Sequence, residues 1–160
     1  MNRGSLSIMI YPEFSDILMD RLTEIFSVSS AFRILVSDGI ILQYHHMERL
    51  RKMDGHIQRI LTSHQLIKIM GAEQQMDTAL IMRSSILDDW GKENTDYVLD
   101  TMPLWPLQSG TIICLFLVGE PSPHIRMNHT MGISYFANKK RGDNFRWGET
   151  AQRQGRLWKK

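Results

Sequence analysis

The sequence has a single cysteine, and no apolar run is longer than the seven residues Ile112–Val118. One cysteine cannot form an internal disulfide, so the fold cannot depend on oxidation. Seven apolar residues are far fewer than the roughly 20 that a helix needs to cross a bilayer. The N-terminus also carries no apolar stretch of signal-peptide length. These absences predict a cytoplasmic or nuclear protein that is neither secreted nor embedded in a membrane.

Recognisable catalytic signatures, cofactor-binding loops and paired-cysteine zinc motifs are also absent from the sequence. His124 and His129 flank a turn and could approach Cys114, but three scattered ligands make a sparse metal site. The neighbours of Cys114 are apolar, which favours a buried and unreactive thiol. We therefore predict no metal and no cofactor, and we favour a protein that is not an enzyme.

The composition is that of one globular domain, with 160 residues of which 42% are hydrophobic and 22% charged. Apolar residues recur every three or four positions from Phe14 to Phe26 and predict a helix over 13–27. Alternating residues on both sides of Asp38-Gly39 predict a β-hairpin, because Gly accepts a positive φ without steric cost.

Weaker patterns follow in the middle of the chain, where turn residues interrupt the helical spacing. The elements predicted there are a short helix to Met53, a second element from His56, a strand over 66–70 closed by Gly71, a helix over 72–90, a helix capped by Asn94 or Thr95 that carries Tyr97–Met102, an extended connector over Pro103–Leu107 and a strand over Thr111–Val118.

Hairpins at both ends of the chain, with helices between them, predict an α+β fold. In this fold an antiparallel sheet carries two or three helices on one face. Further strands are predicted near Ile125, over 131–136 and over 145–147. We divide the chain into a core domain, 1–137, and a C-terminal segment, 138–160, that forms a hairpin or a partly ordered tail and not a second domain.

Positive charge is concentrated in residues 138–160, the basic segment, which has eight basic and two acidic residues and so a formal net charge of +6. The rest of the chain has eleven basic and fifteen acidic residues, a formal net charge of −4. Cationic groups neutralise phosphates and aromatic rings stack on unpaired bases, so the basic segment suits RNA or another single-stranded nucleic acid. The candidate contact residues are Lys139, Lys140, Arg141, Arg146, Trp147, Arg153, Arg156, Trp158, Lys159 and Lys160.

A basic run identifies no ligand by itself, so other interpretations stay open. The basic segment could contact a different acidic partner, lie solvated at the surface, or dock on acidic residues of its own fold. Eleven methionines and four tryptophans would also suit the contact surface of a protein–protein adaptor or an assembly subunit, including a homo-oligomer.

A local pattern supplies an enzyme alternative. Gly119-Glu120-Pro121 at the end of a strand, with Arg126 beyond it, resembles the strand, turn and carboxylate-holding Arg of chorismate pyruvate-lyases. Arg83, followed later by Pro106-Leu107, fits the same family in a second register, and the two registers exclude each other. The stretch is too short to assign the family. What the resemblance implies is a cofactor-free pocket that holds an anionic aromatic acid through Arg126 or Arg83.

Overall fold

Strands and helices alternate along the chain in the computed structural model, which describes residues 3–72, 76–120 and 122 and the backbone of residues 132–135. All strand pairings are parallel, and the order across the sheet is β3-β2-β4-β5-β1-β6. The predicted antiparallel α+β fold is therefore wrong, and the protein has an α/β fold. The elements are β1 Ser5–Tyr11, α1 Asp16–Phe26, β2 Phe32–Ser37, α2 Tyr44–Lys52, β3 Gly55–Ile60, α3 Ser63–Met70, β4 Asp77–Arg83, α4 Ile86–Asp89, α5 Lys92–Thr101, α6 Leu104–Ser109, β5 Ile112–Val118 and β6 Gly132–Tyr135.

Helices cover both faces of the sheet, which explains why hydrophobic alternation was a poor guide to the fold. On one face the strands pack against α1 and α2, whose buried residues include Leu22 and Leu50. On the other face they pack against α3 to α6, through residues such as Leu66 and Trp105. Strands buried on both faces are near-continuous apolar runs. The unbroken run in β5 is of this kind, and it belongs to a parallel sheet and not to a hairpin.

The turn at Asp38-Gly39 is present, but the hairpin predicted from it is wrong. Gly39 has a φ of +88°, the conformation that Gly adopts without strain. However, β2 already has parallel neighbours on both sides, β3 and β4, and no ladder position is left for a returning strand. The chain continues instead into α2, which confirms the helix predicted to end at Met53. The predicted second element from His56 is β3.

Three further predictions in the middle of the chain are wrong. Residues 66–70 lie in the helix α3, which begins with a capping box: the Gln65 N–H donates to Thr62 Oγ1 (3.1 Å), and Gln65 Oε1 accepts the Thr62 N–H (3.2 Å). The predicted helix over 72–90 contains β4 and the short helix α4. Pro103–Leu107 is not an extended connector, because α6 begins at Leu104, directly after Pro103, where the missing N–H of proline costs nothing.

Other predictions are confirmed. The amphipathic helix near the N-terminus is α1, the helix around Tyr97–Met102 is α5, and the long apolar run is β5. The cap predicted for α5 is wrong, because the helix begins at Lys92 after Gly91, and Asn94 and Thr95 lie inside it. Cys114 is buried, and burial raises the pKa of its thiol to about 12, as expected for an unreactive cysteine. A strand does lie within 131–136, but it is parallel to β1.

One strand was not predicted, and two predicted strands are untested. The strand that was not predicted is β1. The strands predicted near Ile125 and over 145–147 lie outside the described residues. Among the helices that the structure describes, none has both the length and the hydrophobicity that a bilayer span requires.

Candidate functional site at the carboxyl edge of the sheet

The six strands that the structure describes all end at one edge of the sheet, because every pairing among them is parallel. In open α/β sheets, ligands bind at this edge, in the crevice where neighbouring strands send their connections to opposite faces. We call it the carboxyl edge, and the last residues of its strands are Tyr11, Ser37, Ile60, Arg83, Val118 and Tyr135.

One such crevice among the described strands lies between β2 and β4. After β2 the chain passes to α2 on one face, and after β4 it passes to α4 on the other. The two strands are linked at their ends by the Arg83 N–H, which donates to Ser37 Oγ at 3.1 Å. The fold therefore points to Ser37–Gly39 and Arg83–Ser85 as the first place to look for a ligand.

The side chain of Arg83 occupies this crevice. Its Nε donates to the carbonyl oxygen of Asp38 at 2.9 Å, and its Nη1 donates to Ser85 Oγ at 2.6 Å. Its Nη2 forms an ion pair with Asp89 Oδ2 at 2.6 Å. A Cβ built on Gly39 would lie 2.4 Å from Arg83 Cδ, so the arginine lies directly on the turn. Each of the three guanidinium nitrogens therefore donates a hydrogen bond within the protein, and one of the acceptors is already a carboxylate, that of Asp89.

Backbone hydrogen bonds tie the ends of the neighbouring strands together. The Ser84 N–H donates to the Val118 carbonyl (2.8 Å), and the Gly119 N–H donates to the Tyr11 carbonyl (2.8 Å). Gly119 has a φ of +120°, and a Cβ there would lie 2.9 Å from Ser84 Oγ. The backbone conformation, which L side chains rarely adopt, favours glycine at this position. The ends of β1, β4 and β5 are thereby held in fixed register.

The connection from β1 to α1 is unlike a phosphate-binding loop. Nucleotide-binding α/β folds place a glycine-rich loop between strand and helix, so that backbone N–H groups at the helix start surround a phosphate. Here the connection is Pro12-Glu13-Phe14-Ser15, and α1 begins with Asp16. A carboxylate at this position complements the positive end of the helix dipole but repels a phosphate. These residues do not form a nucleotide site of that type.

Instead, Asp16 meets two histidines at the start of α2. His46 Nε2 lies 2.9 Å from Asp16 Oδ1, and His45 Nε2 lies 3.6 Å from the same oxygen. The two imidazole rings are 4.0 Å apart between centroids. The hydrogen bond from His46 is the main cause that lowers the pKa of the Asp16 carboxyl. A carboxylate and two imidazoles therefore converge between the first turns of α1 and α2.

His46 is the ordered member of this group. Its side chain is 7% exposed, and Phe14 packs edge-on against the ring at 5.1 Å between centroids. Its Nδ1 accepts the Gln43 N–H at 3.4 Å as part of a capping box. Because Nδ1 accepts a hydrogen bond, the ring hydrogen is on Nε2 and is donated to Asp16.

Sequence reasoning did not find this cluster. The only histidines considered together were His124 and His129, with Cys114 as the third ligand. Asp16 and His46 are 30 positions apart in the chain and meet only because β1 and β2 are parallel. The available signal was a pair of adjacent histidines at the start of a helix that follows a strand.

The residues predicted to contact nucleic acid all lie outside the described part of the chain, as does Arg126. The described backbone does establish where β6 ends. Its register with β1 runs from Ser7 opposite Gly132 to Ile10 opposite Tyr135, so Tyr135 lies at the carboxyl edge, beside the end of β1.

Within the described residues, most cationic side chains are paired with acids of the same fold. Six Lys or Arg side chains form ion pairs at nitrogen–oxygen distances of 2.6–3.3 Å. Arg59 instead donates to the carbonyls of Ser37 and Ile40, and Arg33 contacts Thr78 Oγ1. The paired residues are Arg3 with Asp77, Arg21 with Glu24, Arg49 with Asp20, Arg51 with Glu48, Arg83 with Asp89 and Lys92 with Asp96.

Comparisons with known proteins reveal a similar fold but no close relative. No protein-family model and no curated protein matches the sequence. Among solved structures, the chain is similar to one described as a DnaB-like replicative helicase and its interactions with primase, with a TM-score of 0.53 and 6% sequence identity. The match covers 90% of this chain and 49% of the helicase chain, so this chain spans about half of that protein's length. At this identity the likeness concerns the fold alone, which is α/β.

Proposed function

We propose that this protein is a non-enzymatic binding protein of the cytoplasm or nucleus whose basic segment, 138–160, contacts RNA or single-stranded DNA. The observation that carries the proposal is the position of Tyr135 at the carboxyl edge. The basic segment begins three residues later in the sequence. In the sequence its first cation, Lys139, comes four residues after a strand end at this edge, and open α/β sheets bind their ligands at this edge.

The charge distribution supports this proposal. In the described part of residues 1–137, most Lys and Arg side chains form ion pairs with acids of the same fold. The basic segment, in contrast, has eight cations and only two acids of its own. A concentration of like charge attracts a polyanion at a range set by the Debye length, about 8 Å at physiological salt. Phe145, Trp147 and Trp158 add rings that can stack on unpaired bases.

The residues at the carboxyl edge favour binding over catalysis. The β1–α1 connection lacks the glycines of a phosphate loop. At the β2–β4 crevice, Arg83 is bonded to three groups of its own fold. The similar solved structure is a helicase described with primase interactions, and a role beside nucleic acid agrees with that neighbour.

The test is the affinity of the full chain for a fluorescently labelled single-stranded oligonucleotide, measured by anisotropy over a range of salt concentrations. We expect affinity to fall linearly on a log–log plot, with a slope of about −0.7 per phosphate neutralised. Neutralising three cations, with Lys139→Gln, Lys140→Gln and Arg141→Gln, should reduce the size of the slope by about 2.

A matched variant separates local contact from net charge. This variant removes the same charge from three exposed positions outside the basic segment, with Arg51→Gln, Lys52→Gln and Lys68→Gln. It should leave the slope nearly unchanged. Equal effects of the two triple variants would contradict the proposal, as would binding that survives deletion of residues 138–160. If the deletion instead lowers the free energy of unfolding and the intact chain binds no oligonucleotide, the segment docks on its own fold, for example near the exposed Glu13 and Glu120.

A protein–protein adaptor is the second candidate, and exposed apolar side chains favour it. Near the carboxyl edge, Ile41 is 80% exposed, Tyr44 71% and Leu61 56%, and on α6 Leu107 is 69% exposed. Apolar side chains grouped on a surface are typical of contact sites. Sedimentation equilibrium tests this reading, because a chain that stays monomeric at all concentrations leaves self-association without support.

A further inference from the structure

We propose that Asp16, His45 and His46 form a binding site for a divalent transition metal ion such as Zn²⁺. The three side chains each offer one donor atom, and these atoms lie within 4.8 Å of one another. Two imidazole nitrogens and one carboxylate oxygen are the donor set of many zinc sites with three protein ligands, in which water fills the fourth position. The site joins the start of α1 to the start of α2 and is independent of the basic segment.

The geometry requires only small movements to bind an ion. Zinc ligands lie about 2.0–2.2 Å from the metal, so atoms on opposite sides of the ion are about 4 Å apart at most. Two of the separations, 2.9 Å and 3.6 Å, are already within that range. His46 is held by burial and by Phe14, while Asp16 is 76% exposed and His45 62% exposed. One fixed ligand and two adjustable ones can close around an ion that arrives from solvent.

The chemistry of the donors selects the class of ion. Imidazole suits Zn²⁺, Cu²⁺, Ni²⁺ and Co²⁺, whereas Mg²⁺ and Ca²⁺ prefer oxygen ligands. With two nitrogens to one oxygen, the cluster should discriminate strongly against Mg²⁺. Cu²⁺ should bind at least as tightly as Zn²⁺, following the general order of divalent affinities.

Metal binding changes the tautomer of His46. The ring hydrogen on Nε2 is lost when that nitrogen donates its lone pair to the metal, and a hydrogen is taken up at Nδ1, so the neutral ring gains and loses one proton. Nδ1 then no longer accepts the Gln43 N–H, a contact that is long at 3.4 Å. The Gln43 amide is therefore a direct reporter of the metal-bound state.

The experiment uses the untagged full chain and Zn²⁺ in isothermal titration calorimetry, with Co²⁺ absorption as a second probe of coordination. We expect His45→Ala and Asp16→Asn each to weaken Zn²⁺ binding about tenfold or more. Both residues are exposed, so these variants should fold. In a ¹⁵N–¹H spectrum of the intact chain, the Gln43 amide should shift on addition of Zn²⁺.

The control is His56→Ala. His56 Nε2 lies 3.6 Å from Asp54 Oδ1, and both side chains are exposed, at 64% and 66%, which gives a histidine–carboxylate pair without a second histidine. This variant should bind Zn²⁺ as the unaltered chain does. The proposal is overturned if the unaltered chain binds no Zn²⁺, if His45→Ala and Asp16→Asn bind it with unchanged affinity, or if His56→Ala weakens binding equally.

Discussion

Two aspartates at opposite edges of the sheet show how burial decides what a carboxylate does. Asp77 begins β4 at the amino edge and is 6% exposed, and it accepts hydrogen bonds from Ser29 Oγ (2.6 Å), the Ile112 N–H (2.9 Å) and Arg3 Nη1 (2.9 Å). Asp16 at the carboxyl edge is 76% exposed, and its hydrogen bond comes from His46. The Asp77 carboxylate is buried and hydrogen-bonded to three groups at the amino edge. The Asp16 carboxylate is open to solvent at the carboxyl edge.

Both carboxyl groups have a lowered pKa, but the causes differ. For Asp77, burial by itself would raise the pKa, and the hydrogen bonds from Ser29, Ile112 and Arg3 outweigh it. For Asp16, the hydrogen bond from His46 is the largest cause. A lowered pKa at a buried position reports on the stability of the fold. At an exposed position it reports a local contact that a ligand can replace.

The largest effect is expected for Asp77→Ala. This change leaves the buried Ser29 hydroxyl and the Ile112 N–H without their acceptor, and each buried unsatisfied donor costs about 1–3 kcal/mol. We expect the free energy of unfolding to fall by about 3 kcal/mol, measured by urea denaturation.

The matched control for this variant is Asp20→Ala. Asp20 pairs with Arg49, and its side chain is 67% exposed, so its removal should cost less than about 1 kcal/mol. If the two variants lost equal free energy of unfolding, burial of the carboxylate would not determine its contribution to stability. The comparison of the two edges would then fail.

A smaller effect is expected in the pH dependence of stability. Because the folded-state pKa of Asp77 lies below its unfolded value of about 3.9, the folded state binds fewer protons than the unfolded state as the pH falls. The stabilisation that ionised Asp77 contributes is therefore complete at pH values above its unfolded-state pKa. It is lost as the pH falls through its folded-state pKa.

Urea midpoints measured between about pH 6 and pH 2 provide this test. The unaltered chain should lose stability more steeply over the acid limb than Asp77→Asn, which cannot ionise at this position. Parallel curves for the two proteins would mean that Asp77 titrates alike in the folded and unfolded states.

The sequence predicted local elements better than it predicted the pairing of strands. Helices with a clear apolar face, such as α1, were found, because a spacing of three and four residues is a local signal. The direction of strand pairing is not local. At Asp38-Gly39 the turn residues were recognised correctly, yet the neighbours that β2 finds on both sides decide against a hairpin.

The candidate site was less predictable still. The Asp16 and histidine cluster depends on two helix starts being brought together by parallel strands, and no spacing in the sequence encodes that distance. Arg83 was named only as an alternative carboxylate-holding residue, within a helix predicted over 72–90, whereas it is the last residue of β4. Its role became clear only when Asp38, Ser85 and Asp89 were seen around it.

The smallest effect is expected for Asp16→Asn without metal. In the presence of a chelator, the urea midpoint of this variant should match that of the unaltered chain within error, because Asp16 is 76% exposed and the amide oxygen of asparagine can still accept the His46 N–H. Addition of Zn²⁺ should then separate the two proteins, since an ion that binds only the folded state raises its stability by RT ln(1 + [L]/Kd). If Asp16→Asn lost much stability in the presence of the chelator, Asp16 would have a structural role like that of Asp77. The contrast between the two edges would then disappear.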